Sequence, residues 1–315
     1  MISYVVRRLL QGVLVLFIVS LVTFSLIHAA PGGPALLTNP ELSRTEVTQI
    51  KQNLGLSDPL PIQYLRWIRN VSQGNFGTSY STLTPVSSLI RDRLPNTVLL
   101  GGLALLLSVA IAIPLGVVSA VRHNSAIDQV LTGFTFLGVS VPVFWLAIIL
   151  VIIFSVELHV LPSGNMFTVG ESFSLVDRIK HLVLPVVTLL VLNLATLTRY
   201  TRSAMIEVLG QDYIRTARAK GLTSRAVIYR HALRNALIPV VTIIGVFLPN
   251  AVAGAAITET VFAWPGMGLL AVNAADTRDY PVVLGATLTV AVIVVLSNLL
   301  TDLLYGVLDP RIRLD

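Results

Sequence analysis

Few side chains in this sequence stand in patterns that make or break bonds. Lys51, Lys180 and Lys220 are followed by Gln, His and Gly, so none precedes a Ser or Thr as the phosphate-cradling lysine of a P-loop does. His28, His123, His159, His181 and His231 show no His-Glu-x-x-His spacing, and no Gly-x-Ser-x-Gly nucleophile elbow occurs. Cysteine is absent, which removes disulfides, thiol nucleophiles and thiolate metal sites together. Gly266-Met267-Gly268 lacks the third glycine of a nucleotide-binding loop and reads as a turn. We therefore expect no catalytic residue and no metal site, and look for recognition and passage instead.

The densest polar pattern is DYIRTARAKGLTSRAVIYRHALRNALIP, from Asp212 to Pro239. Its first half predicts a short helix. Ile214, Ala217 and Gly221 fall at i, i+3 and i+7, so small residues share a face that another protein's backbone can approach closely. Gly221 is suited to end that helix in a left-handed cap. Arg215, Arg218 and Lys220 surround it with positive charge. Two readings fit these residues alone: a docking surface for a protein, or a basic helix lying on anionic lipid.

Long apolar segments must position this loop. The 315 residues are 54% hydrophobic and 12% charged, and the mean hydropathy is +0.81. A helix needs about 20 apolar residues to cross a hydrocarbon core. Such runs extend over Leu9–Ala30, Thr97–Ala120, Leu131–Val156, Leu182–Arg202, Ile238–Phe262 and Val282–Gly306. The first follows Arg7 and Arg8 and is longer than a signal-peptide core, so it reads as a retained span. From the end of the fourth run to the start of the fifth stand eight basic residues, Arg199, Arg202, Arg215, Arg218, Lys220, Arg225, Arg230 and Arg234. By the positive-inside rule this loop and both termini are cytoplasmic. The net charge of +6 then reflects loops facing anionic lipid or an intracellular partner, not nucleic acid.

The expected fold class is all-α and polytopic, with a small helical extracytoplasmic segment between the first two of six spans. Residues 1–96 form the first span and this cap, 97–306 a five-helix core with the cytoplasmic loop 203–237, and 307–315 a cytoplasmic tail. Within the cap, Ser43-Arg44-Thr45-Glu46 has capping-box form and Gly55 is placed to end the helix. Tyr64, Trp67, Ile68 and Val71 give a second helix one apolar face, and Pro85 opens a third carrying Val86, Leu89 and Ile90. These faces either pack on the bundle or lipid interface, or dock an external partner.

Pro114, Pro142, Pro185, Pro239 and Pro249 lie in or at the ends of spans, where they kink helices or serve packing. Glu259 and Asp302 are the carboxylates nearest membrane depth. Glu259 either meets an amine of a transported solute or gates the outer mouth, or forms an interfacial ion pair; Asp302, near Tyr305, Asp309 and Arg311, reads as an anchor. Asn193 and Asn250 are further candidates for a translocation path, with hydrogen bonding between helices as the other reading. An ion-coupled secondary transporter would also be a helical bundle, but calls for several carboxylates in mid-membrane, which are scarce here.

Four stretches resemble the permeases of bacterial dipeptide and oligopeptide ATP-binding-cassette importers, specifically the first of their two permease subunits. These are SYVVRRLLQ; LGLSDPLPIQYLRWI with GNFGTSYST; DYIRTARAKGL with HALRNALIP; and TETVFAWPGMG with LLTDLLYGVLDPRIR. The resemblance implies the type I importer permease fold in the bacterial plasma (inner) membrane. It also implies a heterodimer with a second permease, two ATPase subunits that use ATP and Mg, and an extracytoplasmic solute-binding protein. This chain itself binds no cofactor. Nickel, glutathione or oligosaccharide are alternative cargoes to peptides. The resemblance makes the basic loop a coupling helix that docks into the ATPase. At the positions of the importer signature Glu-Ala-Ala, three residues, then Gly stand Arg215, Thr216, Ala217 and Gly221, so the usual glutamate is missing. Ala217, Gly221 and Leu222 are expected to pack closely on the ATPase, while Arg215, Arg218 and Lys220 meet its acidic groups or carbonyls.

Overall fold

The computed structural model describes residues 2–31, 33, 34, 37, 43–253 and 255–308, apart from the side chains of 2–5, 250, 252, 253 and 304–308. Helices dominate: α1 (Ile2–Ala29), α2 (Arg44–Asn53), α3 (Leu60–Ser72), α4 (Val86–Val121), α5 (Ala126–Ser140), α6 (Val143–Val151), α7 (Leu175–Leu209), α8 (Asp212–Ala219), α9 (Ser224–Ala226), α10 (Leu233–Ala253), α11 (Ala256–Val261), α12 (Met267–Asp276) and α13 (Tyr280–Leu308). π-helical turns extend α6 over Ile152–Glu157 and join α9 to α10 over Val227–Ala232. Among the described residues the isolated β-bridge is Thr78 with Pro85.

Among the described residues five helices are long and apolar enough to cross a membrane, and α5 with α6 makes a sixth if that pair is one span. The pair is bent by 100°, so the third span is not the straight helix expected over Leu131–Val156. Pro142 is the reason. A proline ring disfavours helical geometry at the preceding residue, and Val141 is extended, with φ −84° and ψ 123°. Pro114, Pro185, Pro239 and Pro249 lie inside continuous helices instead. The fifth run is also divided, into α10 and the short α11. The third cap helix and the second span prove to be one helix, the 36-residue α4. Gly266 is not a turn residue but the N-cap of α12.

The chain divides into two compact units. One comprises residues 2–97 and 265–295, so α12 and the first half of α13 group with the cap, not with the helices of residues 98–264. Its α2 carries the expected capping box: Ser43 Oγ accepts from Glu46 N–H at 3.3 Å and Glu46 accepts from Ser43 N–H at 2.7 Å. These bonds from Ser43 hold the Glu46 carboxyl below its ordinary range. Tyr64 of α3 is buried, its hydroxyl 2.8 Å from Ser20 Oγ and its ring edge-on to Phe24. A second core joins Val86 and Ile90 to Met267, Ala274, Val282 and Ala286. Thr97 Oγ1 accepts the Met267 N–H at 2.7 Å, supplying a cap that Gly266 lacks. Asp279 accepts from Ser79 Oγ and the Ser81 N–H. Burial, reinforced by Asp279 and Tyr280, pushes the Tyr80 phenol up to about 12.

The other unit comprises residues 98–264 and 296 onward. Leu100, Ala104, Val186 and Trp264 form one buried group, and Ala112, Leu194 and Leu197 another. Ser108 donates within α4 to Ala104 O at 2.6 Å and reaches Leu190 O of α7 at 3.3 Å. Gly116 brings α4 and α7 together, because a Cβ there would lie 2.5 Å from Thr201 Cβ and 2.9 Å from Thr198 O. Gly116→Ala is therefore expected to destabilise the protein by about 1–3 kcal/mol through overpacking. A lower thermal unfolding midpoint in detergent checks this, and an unchanged midpoint would show that the two helices are not packed so closely.

Candidate functional site

The basic loop forms α8, an eight-residue helix set between α7 and α9. Its sequence is amphipathic, and the apolar stripe is satisfied inside the chain. Ile214 is fully buried and Ala217 is 6% exposed, both in a core with Val117, Ala120, Ala204, Met205, Val227, Ala232, Ala236 and Val240. The face expected to receive another protein at Ile214 and Ala217 thus points inward, and these two residues anchor α8 in a core shared with the ends of α4 and α7, the π-helical turn Val227–Ala232 and the start of α10. Full burial of a side chain such as Ile214 stabilises that anchorage by about 1.5–3 kcal/mol.

Outward stand Arg215, Thr216, Arg218, Lys220, Gly221 and Leu222, all exposed and contiguous. Tyr213 is also exposed, and its hydroxyl accepts from Asn235 Nδ2 at 2.9 Å. Arg215 pairs with Asp212 at 3.3 Å, but both side chains lie in solvent, 75% and 93% exposed, so the pair contributes little. The helix ends in a complete Schellman motif: Leu222 N–H returns to Ala217 O and Gly221 N–H to Arg218 O. This closure needs a left-handed residue, and Gly221 has φ +76°. The chain then turns at once, with Thr223 Oγ1 accepting the Ala226 N–H to start α9.

Beneath α8 lies a polar group that the apolar pattern does not announce. Asp128, 3% exposed, receives four hydrogen bonds. Ser119 Oγ donates at 2.5 Å, Asn124 N–H at 2.9 Å, Arg202 Nε at 2.7 Å and Arg202 Nη2 at 2.8 Å. Asn124 adopts φ +62° to present its N–H. One carboxylate thus holds the end of α4, the turn after it, the first turn of α5 and the C-terminal part of α7. Ser125-x-x-Asp128 is a legible helix-start signal, and Ser125 Oγ does accept the Asp128 N–H. Arg202 lies 74 residues away and was legible only as one more positive charge.

The translocation-path candidates are spread over separate helices. Asn193 is half-buried on α7. Glu259 lies on α11 with no exposed surface, beside the equally buried Thr258, and its carbonyl accepts the Trp264 N–H at 2.8 Å. Asn250 lies on α10, but its side chain is outside the described residues, as are Asp309, Arg311 and Arg313 of the tail. Asp302 is half-buried on α13. Among the described residues no three of His, Asp and Glu gather in a group that could hold a metal ion.

Residues 112–314 match the family described as binding-protein-dependent transport system inner membrane component, and residues 1–101 match the corresponding N-terminal family. The oligopeptide transport system permease protein AppB of Bacillus subtilis (strain 168) is 46% identical over 315 residues, covering 99% of this chain and 100% of that protein. The dipeptide transport system permease protein DppB of Escherichia coli (strain K12) is 40% identical over 336 residues, covering 99% of each. Among solved structures, a chain of the MetNI methionine ABC transporter in an inward-facing conformation superposes with a TM-score of 0.56. It is 17% identical and covers 71% of this chain and 97% of that one, which shows a shared fold.

Ile214→Ala is expected to weaken the seating of α8 by about 2–5 kcal/mol, the usual range for truncating a buried aliphatic side chain. Amide hydrogen exchange should then accelerate across 212–222 while α3 keeps its protection. Unchanged exchange in α8 would show that its inward face does not hold it.

Proposed function

Because the chain belongs to the family of binding-protein-dependent transport-system inner-membrane components, we propose that it is the membrane-spanning permease of an ATP-binding-cassette importer for short peptides. The observation that carries this reading is full-length similarity to a dipeptide and an oligopeptide permease at 40% and 46% identity. The long apolar helices supply the membrane body, and the type I importer fold agrees with the structural neighbour.

In this reading the chain hydrolyses nothing. Two separate ATPase subunits supply the energy, and a second permease completes the path between the two. A solute-binding protein delivers the peptide to the extracytoplasmic side, where α2 and α3 lie. Both termini and α8 face the cytoplasm, a placement supported by the charge of the loop. The outer surface of α8 docks on the ATPase. Arg215, Arg218 and Lys220 meet acidic groups or carbonyls there, and Gly221 and Leu222 pack closely. Ala217 contributes from within by fixing the helix to the chain's own core. With arginine at position 215, cations take the place of the glutamate usual in such loops. Glu259, Asn193 and Asn250 remain the proposed polar positions along the path.

ATP hydrolysis and peptide uptake by the co-purified complex in liposomes test the reading. In Gly221→Arg the backbone keeps a left-handed geometry that costs an L-residue about 1–2 kcal/mol, and a long cation stands in the docking face. We expect the ATPases to be lost, or uptake to fall about tenfold or more, since each 1.4 kcal/mol of docking is a factor of ten. Uptake by the permease alone, driven by an ion gradient and indifferent to this substitution, would replace the importer with a secondary transporter.

A further inference from the structure

We propose that Asp128 and Arg202 are positioning residues of transport, forming the joint through which displacement of α8 reaches α5. The proposal rests on α8 being the ATPase-docking helix. Stability alone does not account for the pair. Asp128 is buried and Arg202 partly so, so desolvation offsets much of the pair's Coulombic gain, and well-packed apolar residues commonly hold two helices as well or better. Such residues would also let the helices slide past one another. The four directed bonds at Asp128 instead fix position and angle.

The connection from α8 to this joint is physically continuous within one compact unit. The inward side chains Ile214 and Ala217 share one buried core with Val117 and Ala120 of α4, Ala204 and Met205 of α7, and Val227 and Ala232 of the adjoining π-helical turn. The α4 residues flank Ser119 and the α7 residues follow Arg202, so the segments of α4 and α7 that α8 pushes on are the segments whose side chains grip Asp128. Arg202 stands about two turns before the end of α7. Asp128 occupies the first turn of α5, so force arriving through Ser119 and Arg202 enters α5 at its base. At its far end α5 stops at Val141-Pro142, where the chain bends by 100°. Clamped to α7 at its base and ending at this bend, α5 is carried along when α8 moves α7, and the break at Val141-Pro142 lets that movement turn α5 against α6. Van der Waals contact continues the clamp along the helix: Gly138 faces Val191 and Ala195 of α7, with space only for a Cβ 3.1 Å from Ala195 Cβ.

The test uses the complete transporter in liposomes and measures three quantities together: retention of the ATPases on the permease, ATP hydrolysis, and peptide taken up per ATP hydrolysed. For Asp128→Asn and Arg202→Lys we expect the ATPases to be retained and hydrolysis to continue, while peptide per ATP falls about tenfold, within the usual span of coupling between sites. If Asp128→Asn fails to accumulate in the membrane, Ser119→Ala and Arg202→Lys carry the same measurement, since both leave the carboxylate in place. Uptake and hydrolysis falling in proportion would mark the pair as merely structural and overturn the proposal. So would an unchanged ratio with the ATPases retained. Absence of the ATPases from the unsubstituted complex overturns the docking role of α8 and this proposal with it.

Discussion

Hydrocarbon offers a peptide group no hydrogen-bond partner, and the rest of the structure follows from that constraint. It makes the long apolar segments helical, because a helix pairs its backbone within itself. It also decides how the bundle is glued. Where water does not compete, polar side chains turn back on nearby carbonyls, as Ser108 does on Ala104 and Thr188 does on Leu184. Thr301 reaches further, to Gly245 O at 3.1 Å. Close approach supplies the remainder, and Gly116 lets α4 and α7 meet at Thr201. The break at Val141-Pro142 is costly under the same constraint, which makes it a feature with a role to explain.

The loop between α7 and α9 divides its residues by direction. Ile214 and Ala217 go inward and join the ends of α4 and α7 in one core, while the cations, Gly221 and Leu222 remain outside. A helix of eight residues is not stable alone. Here tertiary packing holds it, so its position reports the position of the helices beneath. That arrangement makes a surface helix mechanically informative: it cannot be moved without moving its floor.

Much of this was legible in the residues. The apolar runs located the long helices, the capping box at Ser43 located α2, and Gly221 located the end of α8. Other features resisted because their causes are not local. Pro142 and Pro185 look alike in sequence, yet one breaks its helix and the other lies inside a continuous one. Ile214 and Ala217 marked a face without stating whether this chain or another would cover it. Asp128 went unread: a Ser125-x-x-Asp128 capping pattern marks only a helix start, and its partner Arg202 belongs to a distant helix. The grouping of residues 265–295 with the cap likewise depends on pairings such as Thr97 with Met267, 170 residues apart.

The space around Gly221 is empty: a Cβ there would meet no atom within 4 Å. Size is therefore not what the position excludes. With φ at +76° the backbone is in the region that suits the mirror image of natural residues. D-alanine would sit there without strain, whereas L-alanine would not, although both have the same volume. The end of α8 is thus selective for handedness, and glycine, being achiral, is the genetically encoded residue that answers it at no cost.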